Sequence, residues 1–281
     1  MAIPEAIKFR KQFVETYQVG VTLLQDRFTE ESMDMGRSVV FDVAAVGGRM
    51  QQRSIDGRIP RTNVSDTQVT CTLQEYVKKF EVTDFEAFTS QSSERDKMNW
   101  RIMSSVNEEH DYVILNELAN ASNSFGGGTA VPATLDAFTR VKATLASYGI
   151  RVNPNDTTVI MSTFLAAKLE NINAYVSAEY VNSKPLDGGA TATFSGQRKI
   201  KSWLEMGWIS HPNLPGHGTA SCTCYIVHRS ALGSAMPSSQ IRYSAGYDDQ
   251  DHYHYASATL KGGAKVLQQT GILKFVHNDL A

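Results

Sequence analysis

Four residues past the middle of the chain offer the most specific chemistry: His211, His217, Cys222 and Cys224. Two imidazoles and two thiols are a zinc ligand set in type. On an extended strand Cys222 and Cys224 project to the same face. Their spacing argues against a metal. Zinc knuckles place about two to four residues between paired cysteines, but only Thr223 intervenes here, and both histidines sit in a Pro- and Gly-rich loop. Two small side chains buried on one strand account for the pair better. No metal or other cofactor is expected.

A second cluster, Asp248-Asp249-Gln250-Asp251-His252-Tyr253-His254, has carboxylates that suit a cation. It lacks the glycine and closing glutamate of a calcium loop, so a turn between strands is the plainer reading. The run Gly126–Gly128 precedes a helical pattern, where backbone N–H groups can cradle phosphate. It follows a helix instead of a strand, with no Gly-Lys-Ser/Thr sequence beside it. No Gly-x-Ser-x-Gly elbow and no His-Glu-x-x-His pair occurs in the sequence, leaving no positive case for hydrolysis. The chain is not expected to be an enzyme. An α+β enzyme of unassigned chemistry stays as a rival.

Charge concentrates elsewhere. Arg49, Arg53, Arg58 and Arg61 crowd a segment punctuated by Gly-Gly, Asp-Gly and Ile-Pro, opposed within it only by Asp56. Guanidinium forks suit paired contact with carboxylates. A solvated loop and a nucleic-acid patch are the alternatives. The patch is the weaker, because no aromatic residues interleave for base stacking. The formal net charge of −2 also gives no bulk attraction to nucleic acid.

These residues hang on a recognisable order of elements. Residues up to about Met35 mix apolar and charged side chains at loosely helical spacing and cannot form a core alone. Two strand-like runs flank the arginine segment, Ser38–Val46 and a run from Val69, where Val69, Cys71 and Leu73 alternate with Thr70, Thr72 and Gln74. A long helix is expected from Ser93, with Ser93-Glu94-Arg95-Asp96 shaped like a capping box, to about Ala121, roughly 40 Å at 1.5 Å per residue. Met98, Ile102, Val106 and Val113 stripe it, with Met103, Ile114 and Leu118 beside them. An amphipathic helix over Thr134–Tyr148 carries Leu135, Phe138, Val141, Leu145 and Tyr148. Beyond it come a strand at Thr157–Met161, a helix through Leu165 and Leu169, strands at Ile200–Ile209 and Cys222–His228, and a mostly β tail with strands at Gln240–Tyr243, His252–Lys261 and Gly271–His277.

With 42% hydrophobic and 20% charged residues over 281 positions, the composition is that of an ordinary globular chain of one large or two modest domains. No apolar run reaches membrane-spanning length, and the N-terminus lacks the apolar core of a signal peptide. Three cysteines are an odd, sparse set that fits a reducing cytosol.

The order of parts resembles the Hong Kong 97-type major capsid proteins of tailed bacteriophages. The segment Asp66–Val69 running into Phe80–Asp84 resembles the return of their hairpin, His228–Ala235 a short helix after a strand, and Gly263–Leu267 with Gly271–Leu273 a terminal strand pair. The resemblance implies an α+β fold with an N-terminal arm (1–36), an E-loop hairpin (37–81), a peripheral (P) domain with a long spine helix (82–122), an axial (A) domain (123–236) and closing P-domain strands (237–281). It implies a structural subunit of the virion, made in the bacterial host cytoplasm, forming hexamers and pentamers around double-stranded DNA held non-specifically. Scaffolding, portal and decoration proteins are candidate partners, and no membrane is. An encapsulin-like compartment shell of the same fold is the alternative. Because that family lays its hairpin on the next subunit, Glu94, Asp96, Glu108 and Glu109 of the long helix become candidate partners for the arginines. Hairpin cross-linking is not expected, since Lys78 and Lys79 lie at its base. Independently of the resemblance, an arm and an extended hairpin cannot bury their apolar faces within one subunit, and uncovered apolar area costs about 25 cal/mol per Å². Neighbouring copies are the expected cover.

Overall fold

A computed structural model of the chain describes residues 22–31, 36–45, 65–83, 94–172, 201–236 and 241–280. The long helix, α1, spans Glu94–Leu118, about 37 Å of rise. Beyond Leu118 the spiral tightens: Asn120 N–H bonds Glu117 O and Ala121 N–H bonds Leu118 O, three residues back, as helix ends often do. This is why the periodic pattern reads on to Ala121. Ser93, the expected cap, lies outside the described residues.

Strand β1 (Thr29–Glu30) pairs in parallel with β9 (Leu232–Ala235). Strands β2 (Ser38–Val43) and β3 (Thr67–Thr72) form a two-stranded antiparallel sheet with Phe41 opposite Val69. Thr70, Thr72 and Gln74 are exposed, Cys71 is buried, and Val69 and Leu73 are half-buried, the alternation expected of a one-sided sheet. The chain then runs into β4 (Gln74–Thr83), which pairs along its length with β11 (Tyr253–Val266). Residues 74–81, expected as the hairpin's return, therefore belong to the sheet under α1. On the other edge of β11 lies β10 (Arg242–Asp248). The end of β11, from Gly263, pairs with β9.

Helix α1 serves two cores. Its first half sets Met98, Ile102 and Val106 on Ala256 and Ala258 of β11, with Phe80 and Val82 alongside. Those alanines let the helix sit close to the sheet. Its second half sends Val113, Ile114, Leu115 and Leu118 into the main core. Met103, expected beside the stripe, is 56% exposed, because the buried face is set by the three- and four-residue steps from Met98.

The main core surrounds a second sheet ordered β12 (Ile272–His277), β8 (Cys222–His228), β5 (Thr157–Met161), β7 (Met206–Ser210), β6 (Lys201–Trp203). Every residue of β5 is buried, as a central strand covered on both faces requires. Helix α2 (Leu135–Ser147), capped by Thr134, places Phe138 edge-on to Trp203, Trp208 and Phe275. Leu135 and Tyr148, at its two ends, are exposed. Helix α3 (Thr163–Leu169) is capped by Ser162 and buries Leu165 and Leu169.

Several other expectations differ from the structure. The single strand over Ile200–Ile209 breaks at Leu204 and Glu205, whose φ angles are +53° and +60°, so β6 and β7 form a tight hairpin with Trp203 opposite Met206. Two consecutive left-handed residues make the primed turn that matches strand twist, but its usual signature is Asn-Gly, so nothing flagged it. The short helix expected over His228–Ala235 is one 3-10 turn, Arg229–Ala231, and then β9. The terminal strands do not pair with each other: Gly263–Val266 joins β9, while β12 joins β8. The tail from residue 237 is thus shared between both sheets. The strand spans also shift: β10 starts two residues later and is longer than expected, and β11 reaches Val266.

Candidate inter-subunit surface

Where α1 crosses β4 and β11, the side chains leave a groove. Its first part is a cavity of about 420 Å³ lined by Tyr76, Lys78, Glu108, Glu109, Tyr112 and Leu260, among others. A second, of about 350 Å³, shares Tyr76, Glu109 and Tyr112 and continues to β3, Glu117 and Lys265. The α-helical step puts positions 105, 109 and 112 on one face, and this is the face that overlooks β4.

The rim is both acidic and apolar. Val77 is 63% exposed and Tyr112 55%, large for side chains of this kind on a folded surface. Glu108 accepts a hydrogen bond from Asn213 Nδ2 at 3.2 Å. Burial raises the pKa of the half-buried Glu109, and the neighbouring Glu108 charge adds to this, while Lys78 offsets it in part. Deeper in the groove Glu117 is fully used. Its carboxylate takes the Val266 N–H at 3.1 Å, Lys265 Nζ at 3.2 Å and Asn120 Nδ2 at 3.0 Å, tying α1 to the end of β11.

The structure divides the expected acidic set. Glu108 and Glu109 line the groove, whereas Glu94 and Asp96 stand in the first turn of α1, about 20 Å away along the axis, with side chains outside the described residues. Arg49, Arg53, Arg58 and Arg61 also lie outside the described residues.

The candidate metal ligands are not brought together. His211 turns its Nε2 to Asp111 at 3.3 Å, and His217 bonds Thr163 Oγ1 at 2.8 Å and packs on Phe164. Cys222 and Cys224 are buried free thiols. Contact with Cys222, together with burial, pushes the Cys224 pKa well up. Among the described residues no group of three or more His, Cys, Asp or Glu side chains is placed to hold a metal ion. The aspartate cluster forms the turn between β10 and β11, with Asp248 Oδ1 accepting the Gln250 N–H at 3.0 Å. Gly126–Gly128 is a 3-10 turn, flanked by backbone bonds from Phe125 to Lys274 O and from Val131 to Val276 O. Among the described residues no helix is long and apolar enough to cross a membrane.

Two buried carboxylates escaped the sequence reading. Asp111 of α1 is 1% exposed and accepts the backbone N–H groups of Leu23 and Leu24 at 2.7 and 3.2 Å. Burial alone would raise its pKa. The ring nitrogens of His110 and His211 and the Leu23 N–H outweigh burial and hold it at about 2. Asp111 thereby pins the stretch whose Leu24 and Phe28 enter this subunit's own core, so the described end of the arm is covered within one subunit and not, as expected, by a neighbouring copy. Asp279 does the same for the C-terminal end, accepting Ser162 Oγ at 2.6 Å and the Gly218 N–H at 2.9 Å. The available signal was positional: Asp111 falls on a helix face between buried Ser104 and Leu118, where an acid needs a partner.

The fold is α+β, with mixed sheets and one long helix, and is Hong Kong 97-like. The chain belongs to the phage capsid protein family, whose model matches residues 5–278. Its fold is similar to a chain of Mycobacterium phage Che8 at 16% identity, with a TM-score of 0.72 and 98% of each chain covered. It is also similar to the capsid structure of Cyanophage P-SCSP1u, at 11% identity and TM-score 0.72, covering 98% of this chain and 93% of that one. The head structure of Helicobacter pylori bacteriophage KHP40 aligns at 9% identity and TM-score 0.71 over 97% and 94%. No curated protein matches the chain in sequence.

Proposed function

We propose that the chain is the major structural subunit of an icosahedral phage head, assembling as hexamers and pentamers around double-stranded DNA and catalysing no reaction. In this reading β2, β3 and the arginine segment are the E-loop, and α1 on β4, β10 and β11 is the P domain with its spine. The sheet of β5, β6, β7, β8 and β12 is the core of the A domain. The arginines at 49, 53, 58 and 61 of one subunit lie along the groove of the next. Portal, scaffolding and decoration proteins are the other expected partners, and the particle is the place of action.

The observation that carries the reading is the groove itself. It combines exposed Val77 and Tyr112 with Glu108 and a half-buried Glu109, and such a surface suits an arginine-bearing segment. The apolar rim gains from being covered. Guanidinium groups supply charge-assisted bonds to both carboxylates and stack on Tyr112. Neither Glu108 nor Glu109 forms an ion pair among the described residues, and the nearby Lys78 offsets the charge at Glu109 only in part.

Charge reversal tests it. Glu108→Arg with Glu109→Arg is expected to abolish closed particles while subunits still fold, as is converting the four arginines to glutamate. Combining both sets should restore assembly in part. Normal particles from either single set would overturn the groove as the contact. Purified particles that protect protein cargo and no nucleic acid would instead favour an encapsulin-like shell.

A further inference from the structure

The two-stranded sheet of β2 and β3 meets the body through a small, unusual contact. Its inward face presents Phe41 and Cys71, both buried, while Val40 on the outer face is exposed. Beneath them β9 and β11 contribute Gly233, Ala235 and Gly263. These share a face, because Gly263 pairs with Ala235 and Gly233 with Lys265 in one antiparallel ladder. A Cβ on Gly233 would lie 2.8 Å from Phe41 Cζ and 2.9 Å from both ring Cε atoms. A Cβ on Gly263 would lie 2.8 Å from the Thr72 carbonyl oxygen and 3.2 Å from Cys71 Sγ. Neither position needs glycine for its backbone angles, since neither has a positive φ. What each provides is room.

We propose that Gly233 and Gly263 form a socket that receives Phe41 and Cys71 and fixes the direction in which the hairpin leaves the subunit, so that they act as positioning residues for shell assembly. The hairpin is anchored at its root as a lever, not hinged there. Two features make the angle specific. The close contact at Gly263 is with the backbone of β3, so no side-chain rotation relieves an added methyl, and the strand itself must tilt. A Leu73 N–H bond to Arg37 O at 2.9 Å closes the two strands into one unit, so a tilt at β3 carries β2 with it. The consequence for particles rests on the shell reading above. The socket itself does not.

The experiment uses the full chain and reads the socket separately from assembly. Cys71 is sealed in the socket, while Cys222 and Cys224 are sealed in the central sheet, so labelling by a thiol-reactive maleimide, mapped by peptide mass spectrometry, carries its own control. Gly263→Ala is expected to raise the Cys71 labelling rate about tenfold or more, as overpacking loosens a docked segment, leaving Cys222 and Cys224 protected. Electron microscopy of the same variant should show open sheets, aberrant particles or none. Gly233→Ala should do likewise, and adding Phe41→Ala should return Cys71 labelling toward the wild-type rate, because the new methyl occupies space vacated by the ring. Unchanged Cys71 protection in both glycine variants would overturn the socket. Exposed Cys71 with wild-type particles would overturn its role in assembly. Absence of particles from the wild-type chain under all conditions would count against the shell reading instead, with Cys71 protection still deciding the socket.

Discussion

The two carboxylate oxygens of Asp111 hold the Leu23–Leu24 backbone and the His211 ring against α1. Replacing Asp111 by asparagine keeps the shape and one acceptor oxygen, but turns an NH₂ group toward donors that need an acceptor: the N–H groups of Leu23 and Leu24 and the ring of His211. One buried donor left unsatisfied costs about 1–3 kcal/mol. Ionisation of the carboxyl gives a similar figure. A carboxyl pKa held at about 2 instead of its ordinary 3.8 is worth about 2 kcal/mol, at about 1.4 kcal/mol per tenfold change in proton affinity. Because the folded-state pKa is depressed, this stabilisation is fully present above about pH 4 and fades as pH falls toward 2. Denaturant unfolding of the unassembled subunit at pH 7 and at pH 3, with hydrogen exchange at Leu23 and Leu24, measures both parts. Asp111→Asn should lower stability by about 2 kcal/mol at pH 7 and speed exchange at those two amides. Its own stability should fall less steeply with acid than the wild type's. Equal stability at pH 7 together with parallel acid dependence would refute the reasoning.

Other expectations follow from packing and turn geometry. Phe138→Ala removes the ring that Trp203, Trp208 and Phe275 share and should cost about 3–5 kcal/mol, read by denaturant midpoint. Replacing Glu205 by glycine removes one left-handed non-glycine residue while leaving the half-buried Leu204 packed on the core, and should stabilise the subunit by about 1 kcal/mol. The ion pair lost with it, Glu205 to Lys142, is exposed on the glutamate side and contributes little. That variant should melt a few degrees higher, about 2–4 °C at this chain length, and an unchanged or lower melting temperature would contradict the turn argument. The paired charge reversals at Glu108 and Glu109 and at the arginines should fail singly and recover together when particles are counted.

Periodicity made much of this fold legible. The strand Thr157–Met161 and the strand Cys222–His228 stand where the apolar runs put them, and Met98, Ile102 and Val106 face a sheet as their spacing demands. What local pattern could not carry was partnership. Nothing in the run from Gly271 says whether it returns to β11 or crosses to β8, because both choices bury the same alternating face. The Leu204–Glu205 turn lacks glycine or asparagine and is held by its neighbours: Trp208 Nε1 donates to Trp203 O across it. For the site, Glu108 and Glu109 were reachable as charges on a long helix, but the aromatic wall of Tyr76 and Tyr112 depends on the packing of α1 against β4. Asp111 was hidden for a related reason. Its donors are backbone groups almost ninety residues away.

The function proposed for this chain is association with copies of itself. Cryo-electron microscopy of the purified full-length protein under assembly conditions tests it most directly. Closed shells of hexamers and pentamers, with the arginine segment of each subunit lying in the Glu108–Glu109 groove of its neighbour, are the expected result. A chain that stays monomeric or dimeric in every condition tried would contradict the account.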